Sequence, residues 1–260
     1  MARVETILWY LNFGATLGLL VRIVCCKLHR AYRVLFLYWL SQALADIVLF
    51  QIPPRSTMYG YVYFSSEVVN LVLSIFVVQE LYRLALVEHP ALSAFARHSM
   101  LAVLGIAGAL AAAGTSLDST VMPGQYWRIH RFMTLDRTVE FVILVFLLVI
   151  SGFLLWFPVK VRRNVAVYIT GFVLFYFSQS AAFLLNNLLP QHYSPSISAA
   201  SLAAALLCLL IWLVGVRAEG ESPVTVTGHG WNPAAAARLS VQLNEINTAL
   251  ARLVRSSASS

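Results

Sequence analysis

Charged residues are scarce in this chain. Asp, Glu, Lys and Arg make up only 11% of its 260 residues, whereas soluble domains carry about 25%. Hydrophobic residues make up 60%, and a soluble protein of this length has no core large enough to enclose so much apolar surface. The composition therefore excludes an ordinary soluble domain.

Cysteine and lysine are also rare, and their positions exclude several kinds of site. Cys25, Cys26 and Cys208 form neither a disulfide framework nor a metal-ligand spacing. Lys27 and Lys160 are the only lysines and lie between apolar segments, so the last helix has no lysine to hold a retinal. His-Glu-x-x-His, Gly-x-Ser-x-Gly and P-loop motifs are absent, as are histidines at metal-ligand spacing within an apolar segment. We therefore expect a protein that is not an enzyme and holds no metal or cofactor.

The apolar residues come in blocks of roughly 20, a length that crosses a hydrocarbon core about 30 Å thick. A spanning backbone must satisfy its own hydrogen bonds, so each block predicts an α-helix. The seven predicted spans are 5–24, 34–52, 61–86, 99–117, 136–157, 165–189 and 196–216. The predicted fold is therefore all-α, with one bundle of seven transmembrane helices over residues 1–217.

Basic residues predict how this bundle is oriented. Ten lysines and arginines flank one face of the predicted bundle and five flank the other. Because cytoplasmic loops carry the excess of Lys and Arg, we expect the amino terminus outside and the carboxyl tail in the cytoplasm. The net charge of +7 then reflects basic loops facing anionic lipid, and we expect no nucleic-acid partner.

The fourth span is rich in small residues. They are Gly105, Gly108, Ala109, Ala112 and Ala113. Small residues four apart let helices approach closely in lipid, which predicts a tightly packed interior helix. A seam between two copies of the chain is the alternative.

The composition changes after Arg217. Glycine and proline in 218–231 predict a linker. Asn232 as N-cap and Pro233 at the first helical position then begin a predicted cytoplasmic amphipathic helix, 232–256. Its apolar residues alternate spacings of four and three: Leu239, Leu243, Ile246, Leu250 and Leu253. Such a seam, 239–253, can pair with another copy as a homodimer, dock on the protein's own cytoplasmic face or lie on the membrane.

Polar residues inside the spans are the candidate functional residues, because a polar group is costly within a bilayer. Asp46 precedes the outer end of the second span, and Glu67 follows the outer start of the third. Both acids lie roughly 9 Å inside the same boundary. Asn70 continues the Glu67 face at helical spacing, and Tyr63 precedes it.

Other spans repeat this bias toward the outer half. Glu140 lies near the outer start of the fifth span, and Gln179 and Asn186 approach the outer end of the sixth. We therefore predict a polar cavity open to the outside that binds a small polar or cationic ligand. Its residues are Asp46, Tyr63, Glu67, Asn70, Glu140, Gln179 and Asn186. The alternative is structural, with the acids pairing with arginines or bonding between helices. Near the inner end of the third span, Glu80 and Arg83 are three apart and can pair on one helix face.

Several segments resemble an uncharacterised family of bacterial seven-helix membrane proteins. The resemblance lies in 61–67 (YVYFSSE), 79–83 (QELYR) and 89–92 (HPAL), and in the Trp231-Asn-Pro233 that precedes the leucine-rich helix. It implies a multi-pass protein of the bacterial inner membrane, without an established activity to carry over. The layout also resembles the seven-helix input modules of bacterial sensor kinases, which implies signalling through a separate partner.

Three hypotheses for function follow. The first is a receptor-like sensing module in which a ligand shifts the helices and the tail reports the shift to a cytoplasmic protein. The second is a small proton-coupled transporter or permease that uses the same acids. The third is a non-catalytic scaffold subunit.

Overall fold

The structure, a computed structural model, describes residues 2–53, 56–117, 125–157, 159–226 and 233–258. Nearly all of these residues are helical. The α-helices are α1 (Ala2–Cys25), α2 (Arg33–Gln51), α3 (Thr57–Ala85), α4 (Pro90–Leu117), α5 (Gln125–Trp156), α6 (Arg163–Leu188), α7 (Ser194–Gly215) and α8 (Pro233–Ala258). Two short strands, β1 (Val159–Arg162) and β2 (Pro223–Val226), pair antiparallel.

The first seven helices are each long and apolar enough to cross a membrane, which confirms the seven predicted spans. The largest differences are at the starts of α4 and α5, where the helices begin earlier than the apolar blocks. Polar residues can continue a helix beyond hydrocarbon, so the apolar run marks the span and not the whole helix. Pro90 fits the start of α4, since a first-turn residue needs no N–H for an intrahelical bond.

The chain divides into two compact units. Unit 1 comprises Met1–Glu80 and Thr170–Glu219, in which α1 packs against α7 and α2. Its core contains Trp212, which is fully buried, with its ring centroid 4.7 Å from that of Phe172. Gly171 permits this packing, because a Cβ there would lie 2.2 Å from the indole Nε1 of Trp212.

Unit 2 comprises Leu81–Ile169 and Gly220–Ser260, in which α4 packs against α5 and α8. The small residues of α4 do not make the tight contacts that the sequence predicts. A Cβ at Gly105 or Gly108 would meet no atom within 4 Å. Only 6% of the spanning window of α4 is buried, against at least 22% for the other spans. The prediction of a tightly packed interior helix is therefore wrong at these glycines.

Part of the predicted linker is ordered. Residues 218–221 form a 3-10 turn, and β2 pairs with β1 from Val159 opposite Val226 to Arg162 opposite Pro223. The sequence did not predict β2, because its partner β1 is distant in the chain. The glycine and proline content of the segment therefore predicted a linker. The rest of that stretch, 227–231, and the predicted N-cap Asn232 lie outside the described residues.

A polar clasp fixes the turn that precedes β2. The fully buried Asn164 donates from Nδ2 to Glu221 Oε1 over 2.7 Å. Arg162 forms a 2.9 Å salt bridge with the other carboxylate oxygen of Glu221. Gly220 is required beside them, since a Cβ there would lie 2.2 Å from Asn164 Oδ1. The chain is thus attached to the start of α6 before it reaches α8.

Candidate functional site

A buried carboxylate lies between α1 and α2 in unit 1. Asp46 is 8% exposed, and the indole Nε1 of Trp9 donates to its Oδ1 over 3.3 Å. Phe50 lies one helical turn further along α2, with its ring centroid 4.3 Å from that of Trp9. An acid inside an apolar helix is therefore bordered by one N–H donor and by aromatic faces.

A second polar contact joins α2 to α3 beside this acid. Gln42 lies one turn before Asp46 on α2, and its Oε1 accepts a 2.6 Å hydrogen bond from Asn70 Nδ2. Asn70 is 8% exposed, and its Oδ1 has no hydrogen-bond partner among the described residues. A buried amide oxygen without a donor is costly in apolar surroundings. The oxygen is therefore a vacant acceptor beside the Asp46 face of α2.

Glu80 forms a third contact, near the other end of the same two helices. Its carboxylate, on α3, accepts hydrogen bonds from the backbone N–H groups of Val34 (3.3 Å) and Leu35 (3.1 Å). First-turn amides have no intrahelical acceptor, and the positive end of the helix dipole favours an anion there. Glu80 is itself buried, so it replaces a local N-cap for α2. The sequence predicted a pair with Arg83, which is exposed.

The two contacts fix the register between α2 and α3, which run antiparallel. Starting from the Gln42–Asn70 bond, Asp46 is four residues further along α2 and Glu67 is three residues back along α3. At 1.5 Å per residue, both acids lie about 5 Å beyond that bond, on the side away from Glu80. This register agrees with the predicted common level of the two acids. Glu67 is half-buried, whereas Asp46 is buried.

The other predicted site residues lie in different surroundings. Tyr63 is 47% exposed and stacks against Tyr59, and Asn186 is exposed near the end of α6. Gln179 accepts a 2.9 Å hydrogen bond from Ser201, which connects α6 to α7. Glu140 is half-buried on α5 and belongs to unit 2. Of the predicted set, Asn70 contacts α2 through Gln42, which lies one helical turn before Asp46.

Two residues of this site were missed from the sequence. Gln42 is the polar residue four positions before Asp46, so helical periodicity alone would have placed it on the acid's face. Trp9 was counted only as apolar, although a buried indole N–H needs an acceptor. We refer to Trp9, Gln42, Asp46 and Asn70 as the membrane polar cluster.

The tail helix makes a polar contact within unit 2. Asn247 Oδ1, on α8, accepts from the backbone N–H groups of Ala91 (3.1 Å) and Leu92 (3.3 Å) in the first turn of α4. Leu243, one turn earlier on α8, is 3% exposed. The residue before α4, His89, is also buried, and burial lowers its pKa while the neighbouring Glu88 raises it.

The seven membrane-length helices indicate a multi-pass membrane protein. Within the described residues, no group of three or more His, Cys, Asp or Glu side chains is placed to hold a metal ion. No protein-family model, no curated protein and no solved structure matches the chain. The resemblance to a bacterial seven-helix family therefore remains a prediction.

Proposed function

We propose that this protein is a non-catalytic, receptor-like sensing module of a bacterial inner membrane. It binds a small polar or cationic ligand at the membrane polar cluster and signals through its carboxyl-terminal tail to a cytoplasmic partner. The observation that carries the proposal is the buried Oδ1 of Asn70, which has no hydrogen-bond partner in the described part of the chain and whose residue contacts the Asp46 face of α2 through Gln42. An acceptor left vacant within a span is by default a functional candidate.

The chemistry of the cluster supports this class of ligand. Asp46 offers a carboxylate and Asn70 an amide oxygen, and both atoms accept hydrogen bonds. The rings of Trp9 and Phe50 lie beside the acid, and aromatic faces attract cations. A compact ammonium or amide ligand matches these acceptors, whereas an anion would meet the negative charge of Asp46.

The bonds between α2 and α3 support the transmission of a shift. α3 contacts α2 through Asn70 at the cluster and through Glu80 at the first turn of α2. A ligand that moved α3 at the Gln42–Asn70 contact would also shift Glu80 relative to the first turn of α2, because both contacts join the same two rigid helices. After α3 the chain turns through 86–89 into α4, whose first turn the tail residue Asn247 caps.

The excess of basic residues on one side supports the orientation in this proposal. With the amino terminus outside, the cluster lies in the outer half of the membrane and the tail lies in the cytoplasm. A ligand then enters from the periplasmic side, and the tail is free to meet a cytoplasmic protein.

Ligand binding to the purified, full-length protein tests the proposal. We would screen small amines, amino acids and amides by thermal shift in mild detergent and confirm binding by native mass spectrometry. Asp46→Asn keeps an acceptor for Trp9 but removes the charge, so it should weaken binding of a cationic compound at least tenfold. Asn70→Ala should also weaken binding, whereas the matched change Asn186→Ala, at an exposed site, should leave it unchanged.

The same variants separate the other two hypotheses. Flux across proteoliposomes that Asp46→Asn abolishes, and that survives removal of 233–260, would indicate a transporter. Binding that is unaffected by both Asp46→Asn and Asn70→Ala would contradict a site at the cluster and leave the scaffold hypothesis.

A further inference from the structure

The tail helix α8 is docked within its own chain by one face. Leu243 is 3% exposed on this face, and Leu239, Asn247 and Leu250 beside it are half-buried. Arg238, Asn244 and Arg252 on the other faces are exposed. In the structure α8 contacts α4 of its own chain.

Asn247 is the polar residue that fixes this docked position. Its Oδ1 accepts from Ala91 and Leu92, whose N–H groups belong to the first turn of α4. First-turn amides have no acceptor inside their own helix. The tail therefore supplies the cap of α4 from more than 150 residues away in sequence.

The docked face overlaps the seam that would pair two copies of α8. Leu239, Leu243, Ile246 and Leu250 alternate spacings of four and three, as the core positions of a parallel coiled coil do. Leu243 is covered in the docked state, whereas Ile246 is 48% exposed at the edge of the face. Because a paired seam needs Leu243 against the partner helix, docking and pairing exclude each other.

We propose that α8 is a switch between two exclusive contacts: docked on α4 of its own chain, or paired through its leucine seam with α8 of a second copy. This inference deepens the proposed function, on which it rests for its biological meaning, by naming the output as tail-to-tail dimerisation. Two copies in one membrane share an orientation, so their tails leave the same side and pair in parallel.

The chain that leads into α8 and α8 itself are attached to the rest of unit 2 by contacts of different extent, which suits a switch. The clasp of Arg162, Asn164 and Glu221, together with the β1–β2 pair, holds the chain that leads into α8. Midway along α8, one amide oxygen, Oδ1 of Asn247, bonds the docked helix to the first turn of α4. Release of this cap therefore weakens the docking of α8, while the clasp keeps the helix near the membrane, where a second copy is concentrated.

Hydrogen exchange measures the docked state directly. The amides of Ala91 and Leu92 are protected by Asn247 and not by their own helix, so their exchange reports the cap. Asn247→Ala should raise their exchange about fivefold, the typical effect of losing a cap side chain. Asn244→Ala, the same change at an exposed position of α8, should leave it unchanged. Continued protection of both amides in Asn247→Ala would overturn the docked half of the proposal.

The dimer dissociation constant measures the paired state. Native mass spectrometry of the full-length protein over a concentration series should show tighter dimers for Asn247→Ala by about 25-fold, since each of two tails must be released. Asn244→Ala should leave the constant unchanged. Adding Ile246→Asp to Asn247→Ala should restore the monomer, while the amides of Ala91 and Leu92 stay exposed.

Ile246→Asp alone should leave those amides protected, which shows that the variant still folds and docks. A dimer constant that is the same in Asn247→Ala and the unaltered protein, despite exposed amides, would overturn the proposal and place the released helix elsewhere, for example on lipid. Neither measurement uses a ligand. A failure of the switch is therefore distinguishable from a failure of ligand binding at the membrane polar cluster.

Discussion

The two units of this protein use polar side chains in different places. In unit 1 the contacts of Asp46 and Asn70 lie within membrane-length helices and join one helix to the next, and the buried Glu80 caps the first turn of α2. In unit 2 the contacts of Glu221 and Asn247 lie at loops and helix ends. The carboxyl and amide groups of unit 1 are buried, whereas the Arg162–Glu221 pair of unit 2 is partly exposed to water.

This difference separates a candidate site from a candidate switch. A hydrogen bond inside an apolar region is strengthened by the low dielectric, and an acceptor left unpaired there is costly. Exposed ion pairs are weak and are screened by salt. The proposed ligand site in unit 1 and the proposed tail switch in unit 2 both depend on this contrast. Four predictions test this contrast, two in each unit.

The largest effect is expected at Glu80 in unit 1. Glu80→Ala leaves two first-turn amides of α2 without an acceptor, so it should lower the free energy of unfolding by about 3 kcal/mol. Denaturant unfolding in detergent measures this change. Glu88→Ala, an exposed acid a few residues further along the chain, is the matched control and should lie within about 0.5 kcal/mol of the unaltered protein. Equal effects of the two variants would contradict a buried cap.

The next effect compares two glycines. Gly171→Ala places a Cβ 2.2 Å from Trp212, so the fully buried core of unit 1 must shift. We expect a loss of about 2 kcal/mol. Gly152→Ala on α5 meets no atom within 4 Å and should stabilise the helix by about 0.5 kcal/mol. Thermal unfolding of both variants decides the matter, and destabilisation by Gly152→Ala would mean that its surroundings are more crowded than the structure shows.

A smaller, pH-dependent effect is expected at His89 in unit 2. Burial lowers its pKa, so the folded protein binds fewer protons than the unfolded chain below the ordinary value of about 6.5. The stability is therefore fully present above that value and falls as the pH drops toward the lowered pKa. The thermal midpoint should decrease over that window, and His89→Gln should flatten the dependence. A profile that His98→Gln flattens instead would assign the effect to that exposed histidine.

The smallest effect is expected at the salt bridge of the clasp. The side chains of Arg162 and Glu221 are 41% and 27% exposed, so Arg162→Ala should cost only about 0.5 kcal/mol. The difference should shrink in molar salt, because exposed charges are screened. Arg163→Ala removes the neighbouring exposed arginine and serves as the control. A loss that persists undiminished at high salt would show that the clasp behaves like the buried contacts of unit 1.

The sequence predicted the ends of the helices less accurately than their number and type. The apolar run predicted the fourth span from residue 99, yet α4 begins at Pro90. The segment between contains Arg97 and His98, which interrupt the apolar run of the sequence but continue the helix. β2 was also missed, because its partner β1 lies about 60 residues earlier and only the pairing makes the segment a strand.

The residues of the candidate site were likewise predicted only in part from the sequence. Asp46 and Asn70 were predicted because a polar residue inside an apolar run is visible in one dimension. Tyr63 and Asn186 satisfied the same criterion, yet their side chains are exposed, since helix rotation decides which faces are covered. Glu80 was assigned a neighbour three residues away, whereas its partners lie on another helix.

By itself, the sequence determined the number and positions of the seven spans, because the bilayer requires a run of apolar residues of a given length in each. It also showed which polar residues lie inside those runs, where a polar group is energetically costly. The tertiary structure alone decided that Asp46 meets Trp9, that Asn70 meets Gln42 and that Asn247 caps α4. These contacts depend on helix rotation and on packing between distant segments, which local periodicity does not specify.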